Sequence, residues 1–240
     1  MFNNNVWLEQ TQENIVDPER QIVDAHHHLW PIPDMHYDLK NLLADTSSGH
    51  NVVQTVFVEC GAAYRTNGPD HLKCVGETEF VAGRAKLAID MEKSTKIAGI
   101  VAYADLMHKR LDEVLEFHET AGNGLFKGIR HSGAHDTKPE ELSIRGSGLP
   151  NQFTRHDSRQ GVAMLGELGL TYDTWIFHHQ IADFRDLAVA VPSTTMILDH
   201  FGTPLGVGQY KEKKEEIFET WKEDIEAVSN CNNVFLKLGG

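Results

Sequence analysis

Three observations predict an α/β fold built on a parallel sheet. Seven short apolar, β-branched runs recur along the 240 residues, and most are apolar throughout, as strands covered on both faces are. Amphipathic stretches of helical spacing separate several of them. The composition, 40% hydrophobic and 24% charged, is enough for one sizeable core without a second domain. Together these point to a (β/α)8 barrel of the TIM type, which typically takes ~250 residues.

The first strand is read over Gln21–His26, the second over Val52–Glu59 and the third over Ile97–Ala104. A helix over Lys109–Ala121 follows, with Leu111, Val114, Leu115 and His118 on one face. Leu125–Arg130 is the fourth strand and Leu170–Phe177 the fifth. The helix Ile181–Val191 lines up Phe184, Leu187, Ala188 and Val191, and Pro192 stops it. Thr195–Asp199 is the sixth strand. The clearest helix, Tyr210–Asn230, carries Ile217, Phe218, Trp221, Ile225 and Val228 on one stripe and its lysines and glutamates mostly opposite. Val234–Leu238 is the seventh strand, and the sequence ends two residues later. The expectation is one (β/α)-barrel domain over residues 1–240, truncated after strand seven with its last βα unit missing. Two longer polar segments, Cys60–Gly76 and Ser132–Thr154, each follow a strand, where a barrel keeps its active-site loops.

Charge and composition exclude several classes. Lys+Arg number 22 against 35 Asp+Glu, a formal charge of -13, which disfavours nucleic acid or an anionic membrane surface as partner. No window approaches the ~20 apolar residues of a membrane span. The first twenty residues lack the basic start and apolar run of a signal peptide. Cys60, Cys74 and Cys231 are too scattered for a disulfide framework or zinc knuckle and read as thiols of a reducing compartment. The expectation is a cytoplasmic protein acting on a small anionic molecule; a homo-oligomer is compatible with this reading.

The 14 histidines are unevenly spread. His26-His27-His28 ends the first strand, and alternation turns His26 and His28 to one side with Asp24 behind them. Two neutral imidazoles on one rigid face are half of a divalent-metal site. Phe177-His178-His179-Gln180 ends the fifth strand and Asp199-His200 the sixth. Any one of these alone reads as a hydrogen-bonded histidine; it is their joint placement at C-terminal strand ends, where barrel enzymes hold their sites, that points to chemistry. Arg130 ends the fourth strand, where a guanidinium either clamps a substrate carboxylate or makes a rim ion pair. Glu59 ends the second strand and would orient a ligand histidine or pair with Arg130. His131, Tyr64 and Arg65 are placed as substrate contacts. Gly202, Gly206 and Gly208 lack the spacing of a nucleotide loop, Gly146-Ser147-Gly148 is a turn, and Asp105 and Asp173 are read as capping or pairing residues.

DAHHHLW at Asp24–Trp30, FKGIRH at Phe126–His131, WIFHHQI at Trp175–Ile181 and LDHFGTPLG at Leu198–Gly206 resemble the amidohydrolase superfamily. The branch is the amidohydrolase-2 group that includes sugar-lactone hydrolases and pyrone-dicarboxylate lactonases. VFVECGAAYR at Val56–Arg65 and VGETEFVAG at Val75–Gly83 resemble a subgroup of that branch. The resemblance implies metal ligands at His26, His28, His178 and His200, with His179 at a variable position. The acidic group that the family places on its eighth strand is absent from these 240 residues. The bridging lysine of strand four finds no clear match, Lys127 being the nearest, so the resemblance implies one metal, zinc or manganese, rather than two. Some lactonases of this branch use no metal, and a metal-free variant stays open.

The activity implied is hydrolysis of a lactone or related cyclic ester of a carboxylated or sugar-derived substrate, with Arg130 and Glu59 as catalytic-site side chains. The alternatives are non-oxidative decarboxylation of an aromatic acid on the same scaffold and an inactive truncated remnant.

Overall fold

The computed structural model describes residues 7, 10–11, 13–33, 35–91, 95–142, 144 and 146–239. Nine of the first twenty residues, the stretch read for a leader, lie outside these, as does Gly240. The chain divides into two compact units: residues up to 102 with 116–126, and residues 103–115 with 127 onward.

The first unit begins with β1 (Gln21–His27), a short antiparallel hairpin of β2 (Trp30–Ile32) and β3 (Met35–Tyr37), and helix α1 (Leu39–Thr46). Then come β4 (Asn51–Val58), α2 (Val75–Asp90) and β5 (Lys96–Ala102). β4 lies between β1 and β5, parallel to both, pairing Asp24 with Thr55 and Phe57 with Ile100. β5 is mostly buried, as its apolar run predicts, and β4 is buried toward its C-terminal end, at Thr55, Phe57 and Val58. β1 instead alternates, exposing Val23 and Ala25 and half-burying Asp24 and His26, so the strand that carries the histidines reads with period two.

Within this unit, sequence periodicity misses both α1 and α2. Asp38 caps α1, accepting the Leu39 N–H at 2.7 Å, while Asn41 returns a bond to the Asp38 N–H at 3.2 Å. Arg84 of α2 grips the same Asp38 carboxylate with two contacts of 2.7 Å, which holds that carboxyl below the usual range and ties the two helices. The buried face of α2 is Val75, Gly76, Glu77, Thr78, Val81, Ala85 and Ala88. Small and polar residues fill most of it, so no apolar stripe announces the helix. Gly76 is required by packing, since a Cβ there would stand 2.5 Å from the Arg65 nitrogen and 2.6 Å from the Ala63 oxygen.

Helix α3 (Leu111–Gly122) is divided between the units. The second unit continues with β6 (Phe126–Arg130), α4 (His156–Glu167), β7 (Thr171–Thr174), α5 (Ile181–Ala190), β8 (Met196–Leu198), α6 (Lys214–Val228) and β9 (Val234–Leu236). β6 to β9 pair in chain order and all in parallel, setting Arg130 opposite Asp173, Thr174 opposite Leu198 and Leu198 opposite Leu236. Successive parallel strands separated by helices are the βα alternation the sequence implies. β7 is shorter than its run, because after Thr174 the chain turns off to a one-turn 3-10 helix at His178–Gln180. Leu142, Phe177 and Leu205 pack with Ala134 beneath the loops that follow these strands. Seven parallel strands in one sheet are thus present among the described residues, as expected. No described helix is long and apolar enough to cross a membrane.

Candidate active site

In the first unit, the end of β1 splits its three histidines as alternation demands. His27 is buried against Phe57, ring centroids 5.8 Å apart, and burial lowers its pKa to about 4. His26 and His28 bring their rings together edge to face, 4.9 Å between centroids. Asp24 accepts the His26 backbone N–H at 3.0 Å and so stiffens the strand end. His28 Nδ1 lies 2.8 Å from the Val58 carbonyl oxygen. A carbonyl only accepts, so the proton is on Nδ1 and Nε2 is the basic nitrogen. This is how a protein prepares an imidazole for a metal ion: a backbone carbonyl fixes the tautomer and aims the ring. The donor set of β1 therefore fits a divalent cation of the zinc type.

The loop after β4 is held from below by Glu77. Its buried Oε1 accepts the N–H groups of Cys60 at 3.1 Å and Ala62 at 2.7 Å. Burial pushes the Glu77 carboxyl up to about 7, with the Glu59 charge adding to the rise. The Cys60 thiol, against the same carboxylate, is pushed up to about 12 by burial. Glu59 is half-buried at the end of β4, its N–H on the Val101 carbonyl at 2.8 Å. Arg65 turns to Glu79 of α2, Nε to Oε2 at 3.1 Å, and lies over the Phe117 ring. Half-buried Tyr64 precedes it. Arg65 thus braces its loop against α2.

In the second unit four charged side chains from four successive strands meet. Lys237, just past β9, places Nζ 2.8 Å from Asp173 Oδ2 of β7 and 3.1 Å from Asp199 Oδ1 beyond β8. Arg130 of β6 approaches Asp199 Oδ2 at 3.8 Å. Asp173 and Asp199 are buried, and burial raises the Asp173 carboxyl while Lys237 opposes the rise. Two cations and two anions balance, as buried charges must. Arg130 was expected at this rim; the reading of Asp173 as a pairing residue also matches its contact. Lys237 was not anticipated. Its signal was a basic residue inside the apolar run VFLKL, two buried strands away from an acidic one in TYDT.

His131 and His178 share one hydrogen-bond sense. The Leu106 N–H donates to His131 Nδ1 at 3.2 Å, and the Leu205 N–H to His178 Nδ1 at 3.4 Å. Burial lowers both pKa values, that of His178 to about 4 with help from His179. Each neutral ring then carries its proton on Nε2, where it donates. His200 has the opposite sense. Its Nδ1 donates to the Gly239 carbonyl at 2.9 Å, making Nε2 basic. Between the two expected ligands of this unit, the hydrogen bonds prepare His200 and not His178.

Beside His178 lies a second polar cluster that the sequence did not announce. The buried Asp136 carboxylate accepts Tyr210 Oη at 2.6 Å and the Lys138 N–H at 2.7 Å, and His179 Nε2 donates to the His135 carbonyl at 3.0 Å. These bonds knit the loops after β6, β7 and β8 around a pocket of about 330 Å³.

Residues 23–240 match the family described as amidohydrolase. An uncharacterized protein of Sinorhizobium fredii, y4mH, is 25% identical over 91% of this chain and 72% of its own length. Among solved structures, an amidohydrolase of Burkholderia multivorans with bound zinc superposes with a TM-score of 0.62 at 19% identity, over 91% of this chain and 69% of that one. A probable 2-pyrone-4,6-dicarboxylic acid hydrolase of Acinetobacter baumannii with citric acid bound gives 0.52 at 10% identity, over 90% and 83%. The likeness bears out the α/β fold of (β/α)-barrel type, carried here through its seventh strand.

Proposed function

We propose, from the premise that this chain belongs to the amidohydrolase family and is a hydrolase of that superfamily, that the bond it opens is the ester of a lactone on a carboxylated or sugar-derived molecule, with a divalent metal as cofactor. The observation that carries the reading is the His26–His28 pair, two imidazoles on one strand face with the His28 tautomer fixed by the Val58 carbonyl. The zinc of the Burkholderia amidohydrolase and the lactone named for the Acinetobacter protein support the metal and the substrate class respectively. Zinc or manganese suits neutral imidazole donors.

The chemistry such an ion supplies is Lewis-acid polarisation of the ester carbonyl and acidification of the attacking water. The chain's own residues do the rest. His26 and His28 present ligand nitrogens from a rigid strand, and in the second unit His200 is prepared in the same sense. His178, protonated on Nε2, donates a hydrogen bond and suits a substrate oxygen. Arg130, held toward Asp199, offers its guanidinium to the substrate's anionic group, a charge-assisted contact worth roughly 1.5–3 kcal/mol.

The test is His28→Ala with elemental analysis and a ring-opening assay on aldonolactones and pyrone carboxylates. Losing a partner of a ligand typically costs 10–100-fold in metal affinity or activity, so loss of the ligand itself is expected to cost about 100-fold or more in hydrolysis. Metal near zero in the parent protein purified without chelator, with ring opening intact, would replace this reading by the metal-free one.

A further inference from the structure

Six described non-glycine residues adopt a positive φ, and three of them, His200 (53°), Phe201 (55°) and Thr203 (42°), fall within four consecutive positions. L side chains seldom enter this region, and a run of them persists only where the surroundings over-determine it. The surroundings here are countable. Lys237 N donates to the Leu198 carbonyl at 3.0 Å as the turn begins, and Phe201 N donates to the Lys237 carbonyl at 3.3 Å. Lys237 Nζ meets the Asp199 carboxylate at 3.1 Å, and His200 Nδ1 donates to the Gly239 carbonyl at 2.9 Å. From α6, Trp221 Nε1 donates to the Phe201 carbonyl at 2.7 Å, its ring 6.1 Å from that of Phe201. Trp175 Nε1 closes the far end on Thr203 Oγ1 at 2.8 Å. Four of these six contacts come from residues 237–239.

We infer that Lys237 is a positioning residue for His200: its ammonium fixes Asp199 where the strained turn begins, and the backbone it anchors receives the His200 Nδ1–H. Charge balance alone does not account for the arrangement. Asp173, at 2.8 Å, already gives the lysine a buried counter-charge, and Arg130 already stands by Asp199. The additional contact is the one that joins the end of β9 to the entry of the turn, two residues before the carbonyl that takes the imidazole proton. A side chain tied to two buried carboxylates on different strands has few rotamers left, so its backbone is held as well. The result is an imidazole in one tautomer, Nε2 basic, on a turn that would otherwise relax. This rests on the reading in which His200 serves the hydrolytic site, but the placement itself can be read without any assay of that activity.

The experiment is long-range ¹⁵N–¹H correlation of the histidine rings in the parent chain and in Lys237→Met, Lys237→Arg and the double variant Asp173→Asn/Lys237→Met. The parent should show His200 as a single Nδ1–H tautomer. Lys237→Met should turn it into a mixture of the two tautomers while His28 keeps its own pattern, and Lys237→Arg, which keeps the charge, should retain the single form. If Lys237→Met alone does not fold, the double variant removes one positive and one negative charge together and keeps the interior balanced; the same mixture is expected in it. A single Nδ1–H tautomer in a folded chain lacking Lys237, a mixture already in the parent, or a mixture with arginine in place would each overturn the assignment. Lactone hydrolysis measured on the same samples judges the functional reading separately: no hydrolysis by the parent, with tautomers as expected, removes that reading and leaves the positioning role of Lys237 intact.

Discussion

His28 and His200 are prepared alike, each with Nδ1–H on a backbone carbonyl, yet the two units achieve it by opposite means. In the first unit the ring stands one residue past the end of β1, whose register against β4 shifts twice, and a bond to the Val58 carbonyl fixes its tautomer. In the second it stands on a left-handed turn held by side chains from β7, β9 and α6. A strand end inherits its geometry from period-two alternation and sheet pairing, which are local and redundant. The strained turn has one local bond, from the Thr203 N–H to the His200 carbonyl at 2.9 Å, and the rest of its geometry is a sum of distant contacts. The second unit should therefore be the more brittle to single substitutions.

The largest expected effect follows from that difference. Asp173→Ala strips Lys237 of its shorter ion pair and leaves an uncompensated positive charge in the interior of the second unit. Breaking a buried pair by deleting one partner typically costs ~3–5 kcal/mol. Denaturant midpoints should show a loss of that order, and a loss under about 1 kcal/mol would mean that water already reaches the network and that the second unit is no more brittle than the first.

The same contrast explains what was legible in the sequence. Strand positions, the division of His26 and His28 from His27, and helices α3, α5 and α6 all follow from periodicities visible within ten or twenty residues. α2 escaped because Gly76, Glu77, Thr78, Ala85 and Ala88 occupy much of its buried face, and α4 because its first turn is polar and Ser158 and Gly161 are among its buried residues. The ion network escaped for another reason: Lys237 and Asp173 are 64 residues apart, and nothing in either segment names the other. Motif resemblance placed His178 and His200 side by side as ligands. Only the direction of their hydrogen bonds, from the Leu205 N–H in one case and to the Gly239 carbonyl in the other, tells them apart.

A second, smaller effect tests whether the first unit's loop depends on one charge. Glu77 has a folded pKa near 7 against 4.5 for the ordinary carboxyl. Because the value is raised, its contribution to stability is complete below about 4.5 and is lost as pH rises through 7. At ~1.4 kcal/mol per unit the full loss is about 3–4 kcal/mol. Glu77→Gln keeps an acceptor for the Cys60 and Ala62 N–H groups and has no proton to lose. Thermal midpoints of the parent should fall between pH 5 and pH 8 relative to those of Glu77→Gln. Parallel profiles for the two proteins would show that Glu77 titrates normally and that the loop is held by its hydrogen bonds alone.

The smallest effect concerns strain of the same kind in the first unit, where no functional imidazole depends on it. Ala63 has φ 53° in an exposed stretch of the loop after β4, beside Gly61 at 73°. An L residue there costs of order 1 kcal/mol, and glycine removes that cost. Glycine also gives the unfolded chain more freedom, which offsets about 0.5–1 kcal/mol. The two terms nearly cancel, so Ala63→Gly should change stability by less than about 0.5 kcal/mol in either direction, a shift of a degree or two in Tm for a chain of this size. The neighbouring Ala62 N–H keeps its bond to Glu77, so the loop keeps its anchor. Hydrolysis should be unchanged, in contrast to variants that free the His200 turn. If Ala63→Gly instead lowers kcat while the fold holds, strain in this loop is also coupled to the chemistry, and the two units differ less than their hydrogen bonds suggest.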